Sequence, residues 1–265
     1  MRFDGKAGLV TGAGSGIGRA TAIGFAQRGG MIAVADVNGA NAAKVAEEIT
    51  SAGGKAIAIV ADVTREADID MMITRTKQEF GRLDFLHNNA FGFARTASSD
   101  TGIAPASEVS DHVWNATLEV GLTAVFRGIR RVLPVMRAQG GGAIVNTASI
   151  SGLRADYGIV AYNAAKAGVI NLTRVAAIEN ARYGVRVNCI CPGAIDTPLL
   201  GAAADPRIVE RFREVIPLGR LGRPEEMANV ALFLASDLAS FVTGSAFVAD
   251  GGQTAKTGSP SFLPE

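Results

Sequence analysis

Short apolar runs alternate with longer stretches of helical period along nearly the whole chain. Ala7 to Val10, Met31 to Ala35, Ala56 to Val60 and Leu83 to His87 read as strands. Between them, Ile17 to Arg28, Asn41 to Ala52 and Glu66 to Phe80 carry apolar residues at helical spacing. A long helix is predicted from about Ser110 to Arg137, followed by a strand that starts with the apolar run Ala143 to Val145 and ends at Ser149. An Ala-rich helix over Ala161 to Ile178 and a strand over Val185 to Ile190 come next. A short helix from Pro206, a helix around Pro224 to Ala235 and a last strand near Ala246 to Ala249 complete the pattern. Such alternation predicts an α/β fold, a parallel sheet with helices on both faces. No internal repeat and no linker rich in Pro or Ser divides the chain, so one domain over residues 1–265 is expected.

Composition narrows the function. The 265 residues carry a formal net charge of +1, which gives no reason to expect a nucleic-acid or acidic membrane surface. No apolar run reaches the roughly 18 residues of a membrane span. The first strand pattern begins almost at once and leaves no room for a signal peptide, so a soluble, cytoplasmic protein is expected. Cys189 and Cys191 stand two apart in a strand-like run, on one side of it, and read as buried apolar thiols. His87 and His112 have no clustered carboxylates beside them, and no metal site is expected.

The chemistry gathers at the ends of the strands. The first runs into Thr11-Gly12-Ala13-Gly14-Ser15-Gly16-Ile17-Gly18. Glycines let a backbone turn tightly and approach a pyrophosphate, which then rests on the N-terminus of the next helix. The strict G-x-G-x-x-G pattern fails here; what is present is G-x-x-x-G-x-G, from Gly12, Gly16 and Gly18. A turn that follows a strand and opens a helix is the context in which this motif carries weight. Asp36 ends the second strand, where a carboxylate accepts ribose hydroxyls and repels a 2′-phosphate. No Arg or Lys stands in the turn before Arg19 or just after Asp36, which favours NAD over NADP. Asp36 could equally cap the helix that follows. Asp62-Val63 ends the third strand, where Asp62 could bond an adenine amino group or open the next helix. Asn88-Asn89-Ala90 ends the fourth, again at the sheet edge where ligands of open α/β sheets collect.

Tyr162 and Lys166 lie four apart, on one face of a helix. A free tyrosine titrates near 10, and a neighbouring cation favours its phenolate, which makes it a usable proton acceptor or donor. Alone, such a pair is ordinary helix surface. Ser149, thirteen residues upstream, supplies a hydroxyl that could hold a substrate oxygen beside the phenol.

Taken in order, these motifs resemble the short-chain dehydrogenase/reductase family from about Lys6 to Gly252. The glycine turn, Asp62-Val63, Asn88-Asn89-Ala90, Ser149, Tyr162-Asn163-Ala164-Ala165-Lys166, Arg186-Val187-Asn188, Pro192-Gly193, Pro217-Leu218-Gly219-Arg220 and Asp250-Gly251-Gly252 all fall in family spacing. The resemblance implies a single Rossmann-type domain, a doubly wound parallel sheet of about seven strands, that transfers hydride between nicotinamide and an alcohol or ketone. Tyr162 would be the acid/base, Lys166 would lower its pKa and hold the nicotinamide ribose, and Ser149 would polarise the carbonyl. The cofactor residues would be Gly12, Gly14, Ser15, Gly16, Ile17, Gly18, Asp36, Asp62, Val63, Asn89, Tyr162, Lys166, Pro192 and Gly193, with Ile195 and Thr197 at the carboxamide. Homotetramers or homodimers are implied, paired through the helices that contain Trp114 to Val135 and Tyr162 to Asn180. Trp114, Leu118 and Phe126 then read as core or interface.

Two positions depart from the family pattern. The family commonly has Asn in the long helix, where it helps to hold a water that passes protons from the lysine to solvent; this chain has Gly121. Asn115, six residues away, lies about 9 Å along the axis and on another face. Gly121 is expected to leave space for an extra water, although a helical glycine costs about 1 kcal/mol against Ala. Phe91 stands where Gly often follows Asn-Asn-Ala, either as a loop anchor or as an aromatic wall of the substrate pocket.

Substrate contacts are expected from Phe91 to Ala97, Ile150 to Tyr157 and the loop Ala194 to Ile216, with Phe91, Phe93, Ser149, Ser151, Tyr157 and Leu199 as candidates. The small apolar run Leu199 to Ala204 suggests a secondary alcohol or ketone on a hydrophobic or cyclic skeleton, hydroxysteroid-like or similar. Arg154 would meet an acidic group or simply lie exposed. Residues 253–265 read as a short C-terminal tail. Rival readings are an NADPH-dependent 3-oxoacyl-thioester reductase, which Asp36 opposes, and a weakly catalytic NAD(H)-binding protein, which Gly121 alone favours.

Overall fold

The computed structural model describes residues 1–92, 103–203 and 206–256, with side chains left out at 201–203 and 206. Seven parallel strands form one sheet in the order β3-β2-β1-β4-β5-β6-β7. They are β1 Ala7–Thr11, β2 Met31–Asp36, β3 Lys55–Val60, β4 Phe85–Asn88, β5 Gly142–Thr147, β6 Val185–Pro192 and β7 Ala246–Ala249. The helices are α1 Gly16–Ala26, α2 Gly39–Ser51, α3 Glu66–Phe80, α4 Asp111–Leu118, α5 Ala124–Ala138, α6 Val160–Asn180, α7 Pro198–Ala203, α8 Pro206–Val215 and α9 Pro224–Ala235. This is the doubly wound α/β architecture that the alternation predicts.

The pleat divides the core. Leu9, Ala33, Leu86 and Ile144 point to one face, where Met72, Ile129 and Val169 from α3, α5 and α6 cover them. Their neighbours Val10, Val34, Phe85 and Val145 point to the other, under Phe25, Val45 and Leu232 from α1, α2 and α9. Successive side chains alternate faces, so strands buried on both sides must be apolar at nearly every position. Phe3, Phe25 and Phe85 stack in a row, with centroids 4.3 and 5.3 Å apart. Cys189 and Cys191 are both fully buried, as read.

Some boundaries differ from expectation. The strand expected over Leu83 to His87 spans Phe85–Asn88; just before it, the Asp84 carboxylate accepts from Ala7 N–H at 2.9 Å and from Arg82. β6 runs on to Pro192, whose missing N–H is tolerated at a strand end. α7 was not foreseen, since its Gly and Ala residues carry no apolar period. The long helix is not continuous either. Residues Glu119–Thr123 form a π-helical turn between α4 and α5, with Gly121 at its centre. Such turns hold one extra residue and often mark functional sites.

Candidate active site

The strand order reverses between β1 and β4, and a crevice opens there beyond the carboxyl ends of the strands. It is a single cavity of about 620 Å³. The glycine turn forms one end. Gly12 takes φ +62°, a left-handed conformation, and a Cβ on it would stand 2.8 Å from Ala90 Cα. Gly18 faces away from the cavity: its Cβ would meet Gly12 O at 2.2 Å, so it is glycine to let α1 pack under the turn. The first turn of α1 has no acidic residue, and its N-cap Ser15 makes no side-chain cap bond, which leaves amides directed at the cavity. These features fit a dinucleotide pyrophosphate.

Asp36 lines the same end. Gly14 N–H donates to its Oδ2 and Asn38 N–H to its Oδ1, both at 2.8 Å. The carboxylate is thereby fixed, with lone pairs left for a ligand. It is not the helix cap; Asn38 caps α2 by accepting from Asn41 N–H. Asp62 accepts from Thr64 N–H and Thr64 Oγ1, and lines the cavity with Val63. Asn89 braces three strands. Its Nδ2 donates to Thr11 O at 3.2 Å, and its Oδ1 accepts from Thr147 Oγ1 at 3.2 Å. Pro192, Gly193, Ile195 and Thr197 line the far wall, where a Cβ on Gly16 would meet Thr197 Cγ2 at 3.2 Å. The Arg186, Asn188 and Asp250 motifs do packing work instead: Arg186 donates to Leu234 O, Asn188 to Val242 O, and Asp250 accepts from Gly252 and Thr254.

The three chemical side chains meet at the middle of the cavity. Ser149 follows β5, and α6 presents Tyr162 and Lys166 one turn apart. The Tyr162 phenol is hydrogen-bonded to Ser149. Lys166 is buried at 3% exposure, and its Nζ donates to Thr147 O at 2.8 Å. Burial lowers the ammonium to about 8. Burial also raises the phenol above its ordinary value, with Asp156 and Cys191 adding to the rise and the Ser149 bond opposing it. The Lys166 ammonium lies 5.6 Å from the centre of the Tyr162 ring.

Phe91 lies against both. Its ring meets the Tyr162 ring edge-on at 5.0 Å, and its face lies 4.8 Å from Lys166 Nζ. A Cβ on Gly121 would stand 3.2 Å from Phe91 Cε2 and 3.1 Å from Ala165 Cβ. The space expected to admit an extra water is therefore filled by the ring. The two departures in sequence are one packing unit.

Of the substrate candidates, Phe91, Ser149, Ser151 and Leu199 line the cavity. Tyr157 does not: it is fully exposed, because the turn at Gly158, with φ +78°, leaves its side chain on the solvent side. Phe93 lies outside the described residues. Arg154 is exposed. Asp156 and Phe212, inside the expected segments Ile150 to Tyr157 and Ala194 to Ile216, also line the cavity, as do Ile159 and Gln253, which lie outside them. Their local sequence carries no motif, and only the folding of separate loops brings them here.

The family model described as enoyl-(acyl carrier protein) reductase matches residues 12–254. A cyclohexanol dehydrogenase of Acinetobacter sp. (strain SE19) is 43% identical over 255 residues, covering 96% of this chain and 97% of that one. A cis-4-hydroxycyclohexanecarboxylate dehydrogenase of Sinomonas cyclohexanicum is 44% identical over 254 residues, covering 96% and 98%. Among solved structures, a 7α-hydroxysteroid dehydrogenase complexed with NADH and 7-oxo glycochenodeoxycholic acid superposes with a TM-score of 0.89 at 33% identity, covering 95% of each chain.

Proposed function

The chain belongs to the short-chain dehydrogenase/reductase family, and from that premise we propose that it oxidises a secondary alcohol, or reduces its ketone, on a cyclic apolar skeleton with NAD as cofactor. The observation that carries this reading is the joint placement of Ser149, Tyr162 and Lys166 in one cavity with the glycine turn and an apolar wall. Phe91, Val120, Ile159, Leu199 and Phe212 give that wall its character and suit a hydrocarbon ring. The relatives named for cyclohexanol and hydroxycyclohexanecarboxylate support the same substrate class.

The residues divide the work. Ser149 and Tyr162 hold the substrate oxygen, and Tyr162 gives or takes its proton. Lys166 holds a cofactor ribose and places positive charge beside the phenol. Bound nicotinamide would accept or supply the hydride. The amides of α1 and the glycine turn hold the pyrophosphate, and Asp36 accepts the adenosine ribose hydroxyls. A 2′-phosphate would meet that fixed carboxylate at close range, which supports NAD over NADP.

The whole chain acts as one catalytic domain in this reading, in the cytoplasm and as a homodimer or homotetramer. Phe126 on α5 with Val175 and Ile178 on α6 expose apolar surface, as do Phe247 and Val248 on the edge strand β7, which supports pairing of copies. Among the described residues, no helix is long and apolar enough to cross a membrane. A 3-oxoacyl-[acyl-carrier-protein] reductase of Thermotoga maritima, 40% identical over 256 residues, keeps 3-oxoacyl-thioester reduction as the second reading.

A panel of cyclic and open-chain secondary alcohols and a 3-oxoacyl thioester, assayed by NADH or NADPH absorbance, tests the proposal. Turnover of a cyclic alcohol with NAD is expected. Turnover of the thioester alone, with NADPH, would overturn it.

A further inference from the structure

A chain of hydroxyls leads out of the site. Ser149 Oγ donates to Ser151 Oγ at 3.0 Å, and Ser151 Oγ donates to Asp156 Oδ2. At the inner end Ser149 is hydrogen-bonded to Tyr162. Ser149 and Ser151 are buried, whereas Asp156 is exposed. The chain therefore connects the reacting phenol to solvent without a gap.

Donor counting fixes its polarity. An ionised carboxylate only accepts, so the single proton of Ser151 is committed to Asp156. Ser151 must then accept from Ser149, whose Oγ is also hydrogen-bonded with the Tyr162 phenol. The O–H groups of Ser149 and Ser151 both point outward. Local backbone holds the arrangement: Ser151 N–H donates to Ser149 Oγ at 3.1 Å, and Asn163 Nδ2 donates to Asp156 O at 2.8 Å, tying the loop to α6 beside Tyr162.

On the lysine side, Nζ donates to Thr147 O, and the Phe91 ring, seated over Gly121, lies against the ammonium.

We propose that Ser149, Ser151 and Asp156 form a proton wire between Tyr162 and solvent, with Ser151 and Asp156 acting as positioning residues that never touch the reacting atoms. The proposal rests on the alcohol/ketone reading above. Oxidation of one alcohol delivers one hydroxyl proton to Tyr162. An O–H bond on Tyr162 breaks as one forms on Ser149, the Ser149 proton passes to Ser151, and the Ser151 proton passes to Asp156, whose carboxylic acid loses it to water. One proton enters and one leaves, and rotation of the hydroxyls resets the chain. In ketone reduction the same transfers run inward.

Among the described residues, the charged and titratable groups that face Tyr162 are Lys166 from α6, Cys191 from β6 and Asp156 from the loop. Burial and its bond to Cys189 hold the Cys191 thiol neutral, and Lys166 is unaltered by a change at Asp156. Among the described residues, replacing Asp156 therefore removes the one carboxylate acting on the phenol.

The test compares wild type, Asp156→Asn, Asp156→Glu and Ser151→Ala as full-length proteins. Asp156→Asn and Ser151→Ala are expected to lower kcat about tenfold or more with KM for the cofactor nearly unchanged. Added formate or imidazole should restore turnover to Asp156→Asn, and Asp156→Glu should keep most of it. Without substrate, ultraviolet titration of tyrosinate, with Tyr162→Phe to identify the signal, should find Tyr162 ionising at lower pH in Asp156→Asn. Unchanged kcat and pH profile in both variants would overturn the wire, as would a loss that no buffer restores. An unshifted Tyr162 titration would also overturn it, even if wild type turns over no alcohol, an outcome that separately removes the functional reading. If Asp156→Asn fails to fold by circular dichroism, Ser151→Ala decides by its kcat and pH profile.

Discussion

The face of the Phe91 ring lies 4.8 Å from the Lys166 ammonium, in the space that Gly121 leaves open. A cation over an aromatic face gains about 0.5–2 kcal/mol, more when desolvated, and this ammonium is buried. The ring thus offsets part of what burying Lys166 costs.

This pairing predicts a coupled response to substitution. Gly121→Asn should displace the ring and destabilise the fold by about 1–3 kcal/mol, as overpacking does. Combined with Phe91→Gly, the same change should cost less than the sum of the two alone, by about 1 kcal/mol in a double-mutant cycle. Urea unfolding of the four proteins measures it. Additive losses would show that the two positions do not share one space.

Removing the phenol hydroxyl separates binding from chemistry. Tyr162→Phe should bind NADH nearly as wild type does, by fluorescence titration, while turnover falls by about 100-fold or more. Undiminished turnover would take Tyr162 out of the reaction.

Cofactor choice should follow one carboxylate. Asp36→Ala removes the charge that a 2′-phosphate would face and frees the amides of Gly14 and Asn38 that now bond it. The ratio of kcat/KM for NAD over NADP should fall by about tenfold, the effect of roughly 1.4 kcal/mol. An unchanged ratio would place the discrimination elsewhere.

His87 gives the fold an acid limit. It is fully buried, its Nε2 is hydrogen-bonded with Thr147 Oγ1 at 2.9 Å, and desolvation lowers its pKa to about 3. In the unfolded chain the imidazole takes a proton near 6.5, so between these values the unfolded state binds more protons. Its contribution is complete above about pH 6.5 and is lost as pH falls toward 3, by up to about 1.4 kcal/mol per pH unit. His87→Gln should flatten the decline in urea stability between about pH 6.5 and 4. A slope equal to that of wild type would assign the limit to other groups.

Periodicity alone located most elements because each face of each strand is covered by helices, so burial wrote itself into the sequence as apolar runs. The glycine turn was legible for a related reason: Gly12 needs a left-handed backbone and Gly18 a close approach, and both requirements are local. The spacing of Tyr162 and Lys166 is likewise a property of one helix. Nothing local marks Asp156, Ile159 or Phe212, which reach the cavity from separate loops and helices. Nor does sequence show that the oddities at positions 91 and 121 answer one another. They are 30 residues apart along the chain, and only the packing of the loop after β4 against the π-helical turn brings the ring over the missing Cβ. Contacts of that kind depend on where whole elements sit, and that is decided by the assembled core rather than by any segment within it.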